Sequence, residues 1–226
     1  MPRQFRKEKP YIVVFCEGKS EQAYVDFLKM KFQTQASIKR CSTAGLFHEA
    51  VDKFNKDKRY RNFIEVTDEI WFFFDVEEKD IHSLSERQSI INKLRKLRKK
   101  GGIRVRLLMT SGCIEYWLLL HYEKYSAPVR IVAEKRNVLI RLRKYKPKYK
   151  KGDFQITGEI AENYPLAVNR AKEVFNELKK YDIPSFEDCD ERNNWLCEHC
   201  YTFSTVFEAI EFLEGIDPSF RNRKNL

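Results

Sequence analysis

The sequence predicts an α/β fold: a parallel, or mostly parallel, sheet flanked by helices, with a mainly helical C-terminal extension. Three observations predict it. Residues 11–16 and 70–74 are apolar runs without polar alternation, as expected of strands covered on both faces. Segments with apolar residues spaced three and four apart lie between the strand patterns. Strand and helix patterns alternate along residues 10–124, and such alternation builds parallel sheets through right-handed crossovers.

The elements follow in order. Residues 11–16 form the first strand, and Glu17, Gly18 and Lys19 turn out of it. Ser20 is the expected N-cap of the next helix, with Glu21 in its first turn and Tyr24, Phe27, Leu28 and Phe32 at helical spacing. Residues 38–41 form a short strand. Phe47, Ala50, Val51 and Phe54 mark a second helix. The strand at 69–74 runs directly into Asp75, Glu77 and Glu78. Ser85 and Gln88 fit a capping box for a helix carrying Ile90, Ile91, Leu94 and Leu97, stopped by Gly101 and Gly102. In the strand at 103–109, Arg104 and Arg106 alternate with Val105 and Leu107. Residues 114–121 form an apolar helix with Glu115 near its start.

The chain beyond residue 124 differs in character. Residues 135–151 carry nine Lys or Arg and no acid, with Tyr145 and Tyr149 interleaved and Pro147 breaking regularity, and read as a basic loop. Residues 166–178 and 203–213 read as helices, and 185–191 as an acidic loop. The expected organisation is a core over 10–124 and a basic loop with a helical region over 125–226 packing on it.

Composition narrows the function classes. At 42% apolar and 14% aromatic residues the chain can bury a real core, which argues against global disorder. No run approaches the roughly 18 apolar residues of a membrane span, and the basic N-terminus carries no small-residue cleavage site. A net charge of +10 favours polyanions, nucleic acid above all, and no membrane partner is expected. Six cysteines without a disulfide framework fit a reducing, cytoplasmic setting.

Ligands of open parallel sheets bind at the carboxyl ends of the strands. Glu17 follows the first strand, Asp75 and Glu77 follow the third, and Glu115 follows the fourth after Thr110, Ser111 and Gly112. In an extended chain Asp75 and Glu77 point the same way. Carboxylates so crowded repel, and a divalent cation removes the conflict; Mg²⁺ or Mn²⁺ suits oxygen ligands. Lys19 is placed to contact a phosphate. Gly18, Lys19 and Ser20 do not make a phosphate-binding loop, because Val13 stands where its first glycine is required. Arg141, Arg143, Lys144, Lys146, Lys148, Lys150 and Lys151 are positioned to track a phosphate backbone, with Tyr145 and Tyr149 stacking on bases. Zinc at Cys189, Cys197, His199 and Cys200 is disfavoured, because the second Cys-x-x-Cys pair is missing. His121 and Trp117 read as core residues.

Three segments carry a family resemblance: Cys16-Glu17-Gly18-Lys19-Ser20-Glu21, Phe74-Asp75-Val76-Glu77-Glu78, and Ser111-Gly112-Cys113-Ile114-Glu115-Tyr116-Trp117-Leu118-Leu119-Leu120-His121-Tyr122. They resemble the CEGxxTE block, the Asp-x-Asp strand end and the SNPxFExWLLLHF block of the RloB-like family, small proteins with a Toprim-like catalytic core encoded beside bacterial restriction and abortive-infection systems. Tyr149-Lys150-Lys151-Gly152-Asp153 and Thr202-Phe203-Ser204-Thr205-Val206 extend the likeness over almost the whole chain. The resemblance implies a Toprim-like parallel sheet and Mg²⁺-dependent phosphodiester chemistry. It also implies a role in anti-phage defence and a partner protein encoded nearby. Glu17 matches the glutamate that acts as general acid or base or as metal ligand, Asp75 and Glu77 the two metal-binding acids, and Glu115 a further ligand. The departures are Glu77 for the usual Asp, where Glu78 is an alternative ligand, and Gly112-Cys113-Ile114 for Asn-Pro and Phe.

The expected function is thus a Mg²⁺- or Mn²⁺-dependent nuclease with Glu17, Lys19 and Asp75 catalytic and Glu17, Asp75, Glu77 and Glu115 holding metal. Two alternatives stand beside it: a nucleic-acid-binding effector subunit with a decayed site, and a primase-like nucleotidyltransferase.

Overall fold

The computed structural model describes residues 9–77, 83–99 and 101–216. Glu78, the alternative metal ligand, lies outside them. Four strands, β1 (Tyr11–Cys16), β2 (Ser37–Arg40), β3 (Thr67–Val76) and β4 (Arg104–Ser111), form one sheet in the order β2-β1-β3-β4. Every pairing is parallel. The helices connecting them are α1 (Lys19–Lys31), α2 (Phe47–Lys56), the single turn α3 (Lys58–Arg61) and α4 (Leu84–Arg95), and α5 (Ile114–Leu120) follows β4. The chain is an α/β protein consistent with a Toprim-like core. Among the described residues no helix is long and apolar enough to cross a membrane.

Ile70, Trp71, Phe72 and Phe73 are all 0% exposed, so both faces of β3 are covered, because successive strand side chains point to opposite faces. Phe47 of α2 stacks on Phe72 at 4.4 Å, and α2 packs on α4. Tyr24 of α1 meets the edge of Trp117 of α5. Trp117 is fully buried, as expected.

Several local expectations are revised. Gly18, not Ser20, caps α1, and the Ser20 hydroxyl instead accepts from Gly152 N at 3.0 Å. Ser85 lies inside α4, which begins after Ser83, so the capping box with Gln88 does not form; Gln88 donates to Asp190 at 2.9 Å. Arg106 does not face water. It is 5% exposed and donates to the buried Glu69 carboxylate at 3.1 and 3.2 Å, because the C-terminal region covers that face and its charge is paired there.

The C-terminal region is helical: α6 (Val132–Tyr145), α7 (Phe154–Ala161), α8 (Tyr164–Asn176), α9 (Asp190–His199) and α10 (Phe207–Glu214), with a 3₁₀ segment at Glu177–Tyr181. The basic stretch expected as a loop is mostly α6, which buries Val138 and Leu142 one turn apart and turns its cations outward. Helices α6 and α8 pack on α5, and α7 packs on α1. Past α9 the chain runs antiparallel beside β4: Thr205 N donates to Met109 O at 2.8 Å and Ser111 N to Phe203 O at 3.0 Å.

Arg192 of α9 is fully buried and holds this region together. Its guanidinium meets Glu208, Asp188 and the Phe186 carbonyl. Removing one member of a buried ion pair leaves the others charged and unsolvated. Arg192→Ala is therefore expected to lower the unfolding free energy by about 3–5 kcal/mol in a urea titration, whereas truncating an exposed cation such as Lys148 should change it by less than about 0.5 kcal/mol.

Candidate functional site

Because all four strands are parallel, their carboxyl ends share one edge of the sheet. The register sets the stagger there. Cys16, the last residue of β1, pairs with Phe73, so β3 runs on past β1. Glu17 fills the gap. Its backbone N–H donates to Phe73 O at 3.0 Å, and its carboxylate accepts from Asp75 N at 3.0 Å. The two residues are thus locked together although 58 positions apart in sequence.

The chain then turns at Gly18 into α1, where Glu21 folds back over it. A Cβ at Gly18 would lie 2.9 Å from Glu21 Oε2, so glycine is what lets the acid close down. Glu21 is 4% exposed, on the same helix face as Tyr24 and Leu28. Burial, then the Glu115 and Glu17 charges, push its carboxyl up to about 7, against hydrogen bonds from its own and the Gly18 backbone. Asp75 is held well above the ordinary carboxylate range, first by burial and then by Glu21, Glu17 and Glu115, with Lys151 opposing. Its Oδ1 is buried and, among the described residues, has no hydrogen-bond partner.

Glu115 reaches the same place from the start of α5. The turn before it depends on Gly112 at φ +68, where an added Cβ would lie 2.0 Å from the Val129 carbonyl oxygen. Glu115 is 1% exposed, and its carboxylate accepts from Tyr149 Oη at 3.0 Å and Ser20 Oγ at 3.4 Å and pairs with Lys151 Nζ at 3.1 Å. The turn after α6 supplies two of these donors. Gly152, at φ +76, sits against Lys19, which is itself exposed.

Four acids therefore meet at the edge: Glu17, Glu21, Asp75 and Glu115. Glu77 is not among them in this arrangement. Chain extension ends at Val76, and the Glu77 carboxylate pairs with Lys135 of α6. Among the described residues no set of three or more His, Cys, Asp or Glu side chains is gathered as a ready metal cage. The donor set still fits a hard cation. Mg²⁺ uses one or two carboxylates and keeps its waters, and Asp75 Oδ1 is an unsatisfied oxygen beside the Glu17 carboxylate. Glu21 was missed as a site residue. Its signal was available: an acid one turn after Glu17, in register with the buried stripe of α1.

The basic segment also divides differently from expectation. Tyr149 cannot stack on bases, because it is 1% exposed and its hydroxyl is spent on Glu115. Tyr145 is 44% exposed but lies flat on Tyr122 at 4.7 Å and bonds Glu123. Arg141 pairs with Glu123, Lys146 with Glu159 at 2.8 Å, and Arg143 donates to the Tyr149 carbonyl at 3.3 Å. Lys144, Lys148, Lys150 and Lys151 are exposed. His121, 1% exposed, is held by Trp117 O at 3.0 Å, and burial lowers its pKa to about 4. Cys197 lies 3.6 Å from the Met109 sulfur, and Cys200 donates to the Cys197 carbonyl.

The buried acids make stability pH-dependent. Folded Glu21 keeps its proton to about 7, whereas the unfolded side chain loses it near 4.5. The folded state binds more protons in that window, so this residue erodes stability as pH rises through it, by up to about 3 kcal/mol. His121 acts in the opposite sense, eroding stability as pH falls from 6.5 towards 4. In metal-free buffer, Glu21→Gln should melt higher than the parent at pH 8, with the difference shrinking towards pH 4. Equal melting shifts at both pH values would contradict the buried-acid account.

The sequence profile of the RloB-like protein family matches residues 12–213. No curated protein and no solved structure gives a significant match. The matched span takes in β1, the turn to α1, the end of β3, the Gly112 turn and the helices that close over them, so the chain belongs to the RloB-like family.

Proposed function

We propose that this chain is a Mg²⁺- or Mn²⁺-dependent phosphodiesterase that cuts nucleic acid, working in the cytoplasm within a bacterial defence system. The observation that carries the reading is the buried Asp75 Oδ1, without a hydrogen-bond partner among the described residues, amid three other carboxylates at the carboxyl edge of a parallel sheet. Such crowding raises the free energy of the empty edge and favours a divalent cation there. Asp75 and Glu17 would hold the ion, with Glu115 and Glu77 within the chain's reach of it by release from Lys151 and Lys135.

A bound divalent ion supplies water activation and charge stabilisation on phosphoryl oxygens. The protein's own groups do the rest. Glu17, exposed at the mouth, handles the proton that leaves the attacking water. Glu21, protonated near neutrality, can lend or take one behind it. Lys19 and the outward lysines Lys144, Lys148 and Lys150 hold phosphates in place, and the net charge of +10 draws the polyanion in.

The second reading, a nucleic-acid-binding effector subunit without catalysis, is favoured by one observation: Glu115 and Glu77 are both engaged by lysines rather than open to a cation. Calorimetric titration with Mn²⁺ separates the two, since the decayed site should show no micromolar-range binding.

Glu17→Gln and Asp75→Asn are expected to reduce Mg²⁺- or Mn²⁺-dependent cleavage of DNA, RNA or tRNA by about a hundredfold or more, with melting temperatures unchanged or raised. Cleavage by either variant at the parent's rate would overturn the assignment.

A further inference from the structure

A second feature sits on the same edge of the sheet and has no part in the acid cluster. Four rings from three segments lie nearly parallel on the surface. Tyr181 stacks on Tyr201 at 4.2 Å with planes 17° apart, and Trp195 stacks on His199 at 4.4 Å and 22°. Tyr201 joins the two pairs, 5.5 Å from Trp195 and 5.9 Å from His199. These rings are not core. Tyr181 is 48% exposed, His199 is exposed, and Trp195 and Tyr201 are half-buried.

The stack is built at some cost. Cys200 takes a left-handed conformation, φ 49 and ψ 35, which turns the chain out of α9 and lays Tyr201 back against Trp195 and His199. A non-glycine residue there is strained. The position of the stack follows from the antiparallel run beside β4. Phe203 pairs with Ser111, the last residue of that strand, so Tyr201 projects beyond the strand's carboxyl end. Ser111 Oγ fixes it, donating to Tyr201 O at 2.6 Å and accepting from Phe203 N at 2.8 Å. Ser111 in turn pairs with Val76, the neighbour of Asp75. The stack therefore hangs on the turn that leads from β4 to Glu115.

Cations flank it. The Arg130 guanidinium lies 5.7 Å from the Tyr201 ring and donates to Cys200 O at 3.0 Å, and Lys180 is exposed next to Tyr181. Among the described residues neither has a carboxylate within ion-pair distance. Two acids of the adjoining loop are already occupied: Asp188 by Arg104, Arg106 and Arg192, and Asp190 by Arg95.

We propose that the Tyr181–Tyr201–Trp195–His199 stack is a platform for unpaired nucleobases, with Arg130 and Lys180 contacting the phosphates of the same strand. Flat, partly exposed rings beside exposed cations are what single-stranded nucleic acid requires: every base has a face to stack, and the backbone needs charge. A base paired within a duplex offers no such face, so the substrate class is single-stranded or locally unpaired nucleic acid. This inference rests on the reading of the adjacent edge as acting on nucleic acid.

The protein carries its own reporter. Of its three tryptophans, Trp71 and Trp117 are 0% exposed, so a ligand that quenches emission by stacking acts on Trp195. In buffer with EDTA, which prevents cleavage, ten-nucleotide single strands of DNA and RNA should quench that emission, and the matching blunt duplex should not. Tyr181→Leu should weaken single-strand binding roughly five- to 150-fold, about 1–3 kcal/mol, and Tyr181→Phe should restore it. Equal quenching by duplex and single strand, no quenching by either, or a Tyr181→Leu protein that binds like the parent would each overturn the platform. Adding Mg²⁺ or Mn²⁺ separates this from the catalytic reading. Strands that bind and quench but stay whole sink the phosphodiesterase assignment alone. Strands that are cut without quenching sink the platform alone.

Discussion

Crowded carboxylates at one end of a parallel sheet are the constraint around which this molecule is arranged. Burying an acid beside other acids costs free energy unless something neutral or positive answers it. Each of the four acids is answered differently. Glu17 takes the Asp75 N–H that the stagger of β1 and β3 leaves over. Glu115 is answered by a tyrosine, a serine and a lysine. Glu21 keeps its own proton near neutrality. Of these four, Asp75 has an oxygen that no hydrogen bond meets among the described residues.

The donors that answer Glu115 come from the turn after α6, far from it in sequence. Tyr149 and Lys151 reach the edge only because Gly152 can approach Lys19 and Ser20 closely. The C-terminal half thus completes the site as well as covering the sheet. Lys135 and Lys151 hold Glu77 and Glu115 by ion pairs that a more strongly charged visitor can displace. The edge is thereby largely neutralised by the protein's own lysines, tyrosine and serine.

Much of the core was legible in the sequence, for physical reasons. Short unbroken apolar runs such as 70–74, rich in aromatics, fit strands covered on both faces, and acids directly after them then fall at the strand ends. The family blocks were legible for the same reason: they coincide with those ends. What the sequence hid was set by tertiary packing. Tyr149 looked like a surface ring between lysines and is buried, because one long-range hydrogen bond to Glu115 outweighs its charged neighbourhood. Glu77 shares its period with Asp75, but the strand ends between them and a helical lysine takes its charge. Arg106 obeys strand alternation yet faces a protein-filled side, where Glu69 pairs with it. Glu21 belonged to the apolar stripe of α1 by spacing, and an acid on an apolar stripe is itself a signal.

The antiparallel run of residues 203–205 along β4 has another consequence. A parallel sheet has two outer strands whose free N–H and C=O groups invite any passing chain to add itself. Along the carboxyl half of β4 those groups are taken: Met109 N by the Thr205 hydroxyl, Ser111 N by the Phe203 carbonyl, and Met109 O by Thr205 N. On the other side β2 is four residues long and ends in Lys39 and Arg40, too short and too charged to template a neighbour. Both borders therefore carry a feature that works against edge-to-edge strand addition: a chain laid along the carboxyl half of β4, and brevity and charge at β2.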